Sequence, residues 1–259
     1  MGWGTRQRVF APLLAVLFGC AGVTHGAIMT IDNFSQPDPA HFFVLGSGMN
    51  PSMHFTESSI GALGGQRDVL VDVIGQGTPT SIVGLVGQDT HYHLDAMQVG
   101  TNGLAPSVLT LEYNGVNLTI PEGLNPLAAV TGTDLTLGGN DRFWIHFLSC
   151  DAQPTSGLDV NVIITSPGGL MSSVLRTAPN ALGAYDFYIP FSGLSGTASI
   201  HNVETIKFVF NGNRKTPNVD YEIQLLATVP EPGSVTLLAI ALGVMGWAAH
   251  RVRRRRHRT

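Results

Sequence analysis

The sequence predicts an all-β protein built as a two-sheet antiparallel sandwich, and three observations carry that expectation. Short runs rich in Val, Ile, Thr, Phe and Tyr recur along the chain, which is the composition of strands. The 31 glycines and 15 prolines fall largely between those runs, where they punctuate strand from turn. No long stretch of the body keeps the 3.6-residue apolar period of a helix. Many short antiparallel strands in a body of about 200 residues point to packed sheets, with the jelly roll as the favoured topology.

Taken in order, the first expected strands are 29–34, 42–45, 53–57, 68–74, 81–86, 91–97, 107–113 and 116–120. Those that follow are 134–137, 142–148, 158–165, 171–177, 185–190, 198–201, 205–210 and 220–227. The sharpest local signal is the alternation on either side of Asn114-Gly115. Both residues tolerate positive φ, so 109–120 reads as a hairpin with a two-residue loop. Ile206, Phe208 and Phe210 share one strand face and are expected in the core, as are Phe143, Ile145 and Phe147. That leaves Trp144 and His146 facing outward, unless the strand is covered on both sides and Trp144 is core too.

The two ends of the chain are of another kind. Arg6 and Arg8 precede an apolar stretch from Val9 to Val23, and Gly26 offers a small residue before Ala27. This is the layout of a secretory signal peptide over residues 1–26, to be removed by signal peptidase. Leu17-Phe18-Gly19-Cys20 also partly resembles a lipobox, in which Cys20 would be acylated. At the far end, Pro230-Glu231-Pro232 cannot be helix interior, because proline fixes φ and lacks a donor. The apolar run Ser234–Ala249 would span about 24 Å as a helix, short of a ~30 Å hydrocarbon core, and snorkelling arginines can make up the difference. Six arginines beyond it resist translocation and stay cytoplasmic. The organisation is therefore a signal peptide at 1–26, a β-sandwich ectodomain at 27–229, and a tail at 230–259 with a membrane helix.

Charge separates body from tail. Setting aside Arg6, Arg8, the six tail arginines and Glu231 leaves 6 basic and 17 acidic residues in the body, about −11. Such a body offers no basic patch to neutralise phosphates, so nucleic acid is excluded as an expected partner. Cysteine is equally informative. Only Cys20 and Cys150 occur, and Cys20 lies in the signal segment. The body then holds one thiol and no internal disulfide, and Cys150 reads as a small buried hydrophobe.

Three sets of residues are candidates for chemistry. Asp89, His91, His93 and Asp95 alternate, so on a strand all four leave one face and form a transition-metal surface. The same pattern fits the solvated face of an edge strand. Cupin jelly rolls share a His-x-His strand, but follow it with a glutamate ligand where this chain has Met97 and Gln98. Trp144 is the only tryptophan of the body, and with Tyr113 or Tyr188 it would make the flat apolar platform that a sugar ring needs. The sequence lacks a Gly-x-Ser-x-Gly elbow, a His-Glu-x-x-His helix and a Walker loop. No catalytic residue and no cofactor is assigned, and the protein is expected not to be an enzyme.

The tripartite tail resembles the PEP-CTERM sorting signal of exported bacterial proteins. That resemblance implies recognition of Pro230-Glu231-Pro232 by an exosortase, transient anchoring by the helix, and delivery to the cell surface or the extracellular matrix. Within the body, 62–69, 189–192, 202–210 and 220–223 resemble short blocks of PEP-CTERM ectodomains, which are in turn similar to jelly-roll carbohydrate-binding modules. The latter resemblance implies that a structural Ca²⁺ is possible, with Asp32 in the first strand and Asp220 in the last as candidates. The expected function is a non-enzymatic surface or matrix protein associated with exopolysaccharide and biofilm. A carbohydrate-binding module and a metal-dependent enzyme on a jelly-roll scaffold are the alternatives.

Overall fold

The structure is a computed structural model that describes residues 27–34, 41–45, 52–58, 61–74, 81–86, 96–101, 106–114, 132–152, 157–213, 217 and 219–231. Its strands are β1 (Met29–Asp32), β2 (His41–Leu45), β3 (Ser52–Ser58), β4 (Gln66–Val73), β5 (Ser81–Val86), β6 (Ala96–Thr101) and β7 (Ser107–Tyr113). They continue as β8 (Asn140–Asp151), β9 (Leu158–Ser166), β10 (Leu170–Ala178), β11 (Tyr185–Pro190), β12 (Ser195–Gly196), β13 (Thr205–Phe210) and β14 (Asp220–Pro230). One seven-stranded sheet runs β11-β8-β14-β6-β5-β2, with β1 added to β14. The other, also of seven strands, runs β12-β10-β9-β13-β7-β4-β3. The pairings within both are antiparallel. No helix among the described residues is long and apolar enough to cross a membrane, and the run 234–249 lies outside them.

The period-2 pattern decides which side chains are inside. On β8, Phe143, Ile145 and Phe147 are fully buried while Arg142, Trp144 and His146 between them are only partly covered. On β13, Ile206, Phe208 and Phe210 fill the opposing face. Phe143 and Phe208 meet edge to face at 5.8 Å, so the central strands of the two sheets touch through aromatic rings. Cys150 is buried as expected, and burial pushes its thiol up to about 11, which keeps it neutral.

Three local expectations are corrected. The expected hairpin partner of β7, residues 116–120, lies outside the described residues, and both edges of β7 are already taken: Leu111 is opposite Phe208 of β13 and also Val69 of β4. A strand flanked on both sides has no edge left for its own continuation. Residues 134–137 are a turn rather than a strand. The Asp134 carboxylate accepts from both the N–H and the hydroxyl of Thr136, and Gly138 and Gly139 follow with φ of 79° and 83°. Residues 198–201 are also not a strand. Ala198 donates its N–H to the Ser172 hydroxyl and Ser199 to that of Ser166, so side chains replace a ladder. Of the expected strand 91–97, only Ala96 and Met97 fall among the described residues, at the start of β6.

The two sheets are also tied by a charge. Asp32 on β1 and Arg67 on β4 are 0% and 1% exposed and pair at 2.5 Å. Asp32 accepts further bonds from the Tyr113 hydroxyl at 2.8 Å and the Phe34 N–H at 2.7 Å. The Arg67 guanidinium lies over the Phe34 ring at 5.0 Å. Removing one member leaves the other charged and buried, which costs about 3–5 kcal/mol. Arg67→Met and Asp32→Ala are therefore each expected to lower the free energy of unfolding, measured by urea denaturation, by that amount. An apolar double replacement should lose less than the sum, and Tyr113→Phe only about 1 kcal/mol. Additive losses in the double variant would show that the two charges do not depend on each other.

Candidate functional site

The partly covered residues of β8 face their counterparts on the edge strand β11. The register places Tyr188 beside Trp144 and Asp186 beside His146. Period-2 alternation sends all four side chains to the outer face of that sheet, opposite to the core-facing Phe143, Ile145 and Ile189. Trp144 donates its indole N–H to Asp186 at 2.8 Å, and His146 Nδ1 lies 2.7 Å from the same oxygen. Tyr188 is 40% exposed. Arg142 stands over the Tyr188 ring at 5.9 Å, at the end of the row. The result is a partly exposed patch of two aromatics with a carboxylate, an imidazole and a guanidinium around them.

Hydrogen bonding tunes this patch. Burial works against the charge of Asp186, but the bonds from His146, and then from Trp144, outweigh it and hold the carboxyl below its usual range. The Arg142 guanidinium is raised above its ordinary value, chiefly by its hydrogen bonds to Asp141 at 2.8 and 3.1 Å, and stays charged. The arrangement offers two partly exposed aromatic side chains with acceptors and donors beside them.

Other candidates are placed differently. Tyr113 is not part of the platform: it is fully buried and its hydroxyl is committed to Asp32. Burial first, and then the Asp32 charge, pushes its phenol well above the ordinary value. Asp32 does not serve a cation, because a guanidinium already occupies its carboxylate. Although β1 does pair with β14, Asp32 lies opposite Leu226, six residues along the strand from Asp220, or roughly 20 Å. The Asp32–Asp220 calcium site is thereby withdrawn. Asp89, His91, His93 and Asp95 lie outside the described residues. Among those described, no group of three or more His, Cys, Asp and Glu is placed to hold a metal.

A feature that sequence reading missed is a groove of about 520 Å³ on the outer face of the other sheet. Glu112 of β7, Thr165 of β9, Met171 of β10 and Lys207 of β13 line it, together with Glu204. Lys207 and Glu112 pair across it at 2.9 Å. These residues are spread over nearly a hundred positions, and only the strand order β10-β9-β13-β7 brings them together. The one legible sign is that Glu112, Thr165, Met171 and Lys207 each take the outward side of an alternating strand.

The end of β14 defines the second functional region. The strand runs through Pro230, one residue into the expected tail, and Pro230 lies opposite Asn140. Thr228 is fully buried and accepts a bond from the Asn140 amide at 2.8 Å. Glu231 is 66% exposed, with its carboxylate 3.3 Å from Arg142. Pro232 lies outside the described residues. Residues 228–256 match the family model described as the PEP-CTERM protein-sorting motif. The chain bears a PEP-CTERM sorting motif. It is accordingly an exported protein, sorted by an exosortase to a surface or extracellular location. The motif begins inside the folded sheet, with no linker between them.

No curated protein matches the PEP-CTERM chain. Among solved structures, it is similar to a family 11 carbohydrate-binding module from Clostridium thermocellum in complex with a β-1,3-1,4-mixed-linked tetrasaccharide. The alignment covers 78% of this chain and 95% of that one, at 13% identity and a TM-score of 0.35. An exo-β-agarase aligns over 80% of this chain and 26% of its own, at 10% identity and a TM-score of 0.31. Likenesses this remote carry no argument about the present chain.

The Asp186 geometry makes a pH prediction. A carboxyl with a depressed folded pKa contributes its stabilising bonds above its unfolded value and loses them as pH falls through the lower folded one. In a carbon-detected NMR titration, the Asp186 carboxyl of folded protein should therefore titrate below the ordinary value of about 3.9. It should move up towards that value in His146→Ala or Trp144→Phe. A titration at or above the ordinary value in the unaltered protein would contradict the assigned bonds.

Proposed function

We propose that the PEP-CTERM chain is a non-enzymatic surface or extracellular-matrix protein that works with exopolysaccharide. Its sandwich, a jelly roll in topology, meets glycan through the patch of Trp144 and Tyr188. The observation that carries this reading is that Trp144 and Tyr188 are cross-strand partners on an outer sheet face, with polar partners beside them. A pyranose ring has an apolar face that stacks on such rings and hydroxyls that seek the carboxylate and guanidinium beside them. Export and sorting deliver the patch to the compartment where polysaccharide lies.

A second reading places the glycan in the groove of Glu112, Thr165, Glu204 and Lys207, which is concave but lacks an aromatic floor. A third keeps a metal-dependent enzyme on the same scaffold, through Asp89, His91, His93 and Asp95. The metal content of purified protein decides that one. Stoichiometric metal lost in a His91→Ala, His93→Ala double variant would favour the enzyme over the binding protein.

Two outcomes are expected. Exopolysaccharide from the native host should bind purified residues 27–231. Trp144→Ala should weaken binding by roughly fivefold, the equivalent of about 1 kcal/mol for a lost aromatic platform. Tyr188→Ala should act in the same direction. Loss in Glu204→Gln with Trp144→Ala unaffected would move the site to the groove, and no binding by any folded sample would leave a structural role. Intact-mass analysis of the protein from its host should also show a form lacking the arginine tail. Retention of that tail under all growth conditions would sink the maturation step.

A further inference from the structure

Two large apolar side chains stand exposed at the end of the sandwich from which β14 departs, beside the charged group of Asp141, Arg142 and Glu231. Pairing of Met29 with Thr228 sets Ile28 alongside the last residues of β14, and pairing of Pro230 with Asn140 brings up the turn Leu137–Gly139. The two segments are in contact. Gly138 comes so close to the chain start that an added Cβ would lie 2.6 Å from the Ala27 nitrogen, and its φ of +79° favours glycine as well. Ile28 and Leu137 thus flank the departing strand, and they are 55% and 60% exposed. Nothing in the core requires two large apolar side chains to stand in solvent there.

The chain beyond them is short. Only Pro232 and Gly233 separate Glu231 from the apolar run that starts at Ser234. Fully extended, that connection spans on the order of 10 Å. The interfacial layer on each side of a bilayer is itself roughly 5–8 Å thick. With 234–249 inserted, this end of the sandwich has no room to stand clear of the headgroups.

We infer that Ile28 and Leu137 form a membrane-contact surface, seated in the interfacial layer of the bilayer that holds the tail. The inference rests on the reading of 234–249 as membrane-inserted. Two apolar side chains are too few to hold a body of net charge about −11 against anionic lipid unaided. The tether supplies the missing local concentration. Contact therefore lasts while the tail is attached and ends with its removal, which makes processing a release from the surface as well as a cut.

The test uses residues 27–259, the chain as it stands once the signal peptide is gone, reconstituted in vesicles of phosphatidylcholine and phosphatidylglycerol. One variant carries an environment-sensitive dye at Leu137→Cys. A control carries it at Leu182→Cys, which is 83% exposed and lies beside the bridge of Ala181 to Cys150, at the other end of β8. Cys150 is buried with its thiol raised to about 11, so it escapes labelling. The protein should float with the vesicles, and the dye at 137 should shift to the blue and be quenched by brominated lipid. The dye at 182 should do neither, and Ile28→Asp should reduce the quenching at 137. Flotation with equal responses at 137 and 182 would overturn the contact surface while leaving the anchor intact. Failure to float would overturn the anchor reading and the contact with it. Burial of the dye at 137 in host membranes but not in pure lipid would assign the surface to a protein partner and overturn the inference.

Discussion

The buried pair of Asp32 and Arg67 is the constraint around which the two sheets are set. β1 belongs to the sheet of β8 and β14, whereas Arg67 and Tyr113 belong to the other, so one carboxylate accepts donors from across the sandwich. Placing both charges out of water is expensive, and the bonds that Asp32 accepts from Tyr113 and the Phe34 N–H help to offset the cost. The consequence is selectivity of register. A slip of β1 by one residue along β14 would turn Asp32 outward and strand the guanidinium in the core. The chain reinforces the position where it leaves β1, through the bridge of Asp32 to Ala62. Phe34 sits just beyond with a φ of 52°, a conformation bulky residues rarely adopt, held there by the Asp32 carboxylate.

That registration has consequences for the whole of β14. With β1 fixed on one side and β8 on the other, the second half of β14 is locked on both edges through Thr228. The sorting motif therefore starts in the best-held strand of its sheet. The direction in which the chain leaves β14 at Glu231 is set by the sandwich. Arg142 sits where these features meet. It lies opposite Val229, contacts Glu231 of the motif, and covers the ring of Tyr188 at the end of the aromatic patch. An exposed ion pair such as Arg142–Glu231 contributes little stability, but it brings the sorting motif next to the proposed binding face.

The outer faces of the two sheets divide the surface chemistry between them. One carries aromatics and a carboxylate whose charge is held by an indole and an imidazole. The other carries a groove with paired Lys207 and Glu112. Both arise because alternation leaves every second residue of a central strand free to be polar without disturbing the core. A single fold thus presents two different surfaces to whatever lies on either side of it.

Much was legible in the sequence because it depends on local pattern. Composition and period 2 were enough to predict an all-β body, and the bounds of β5, β7, β11 and β13 coincide with the runs read from them. The inward positions of Phe143, Ile145 and Phe147 follow from alternation alone, and Cys150 is buried as its residue type suggests although it breaks that alternation. The sorting motif was readable because its residue order is its function. What failed did so where the outcome depends on partners distant in the chain. Asn114-Gly115 has sound hairpin chemistry, yet both edges of β7 are taken by strands far away in sequence. Tyr113 and Tyr188 look alike as residues. The first points into the core against Asp32 and the second stands beside Trp144, a difference set only by which strand each occupies. Asp32 looked like a cation ligand until the cation beside it proved to be Arg67, 35 positions away. Local propensity and alternation are short-range properties that a sequence displays directly, whereas the partner of a buried charge is chosen by sheet order and register, which only the folded chain defines.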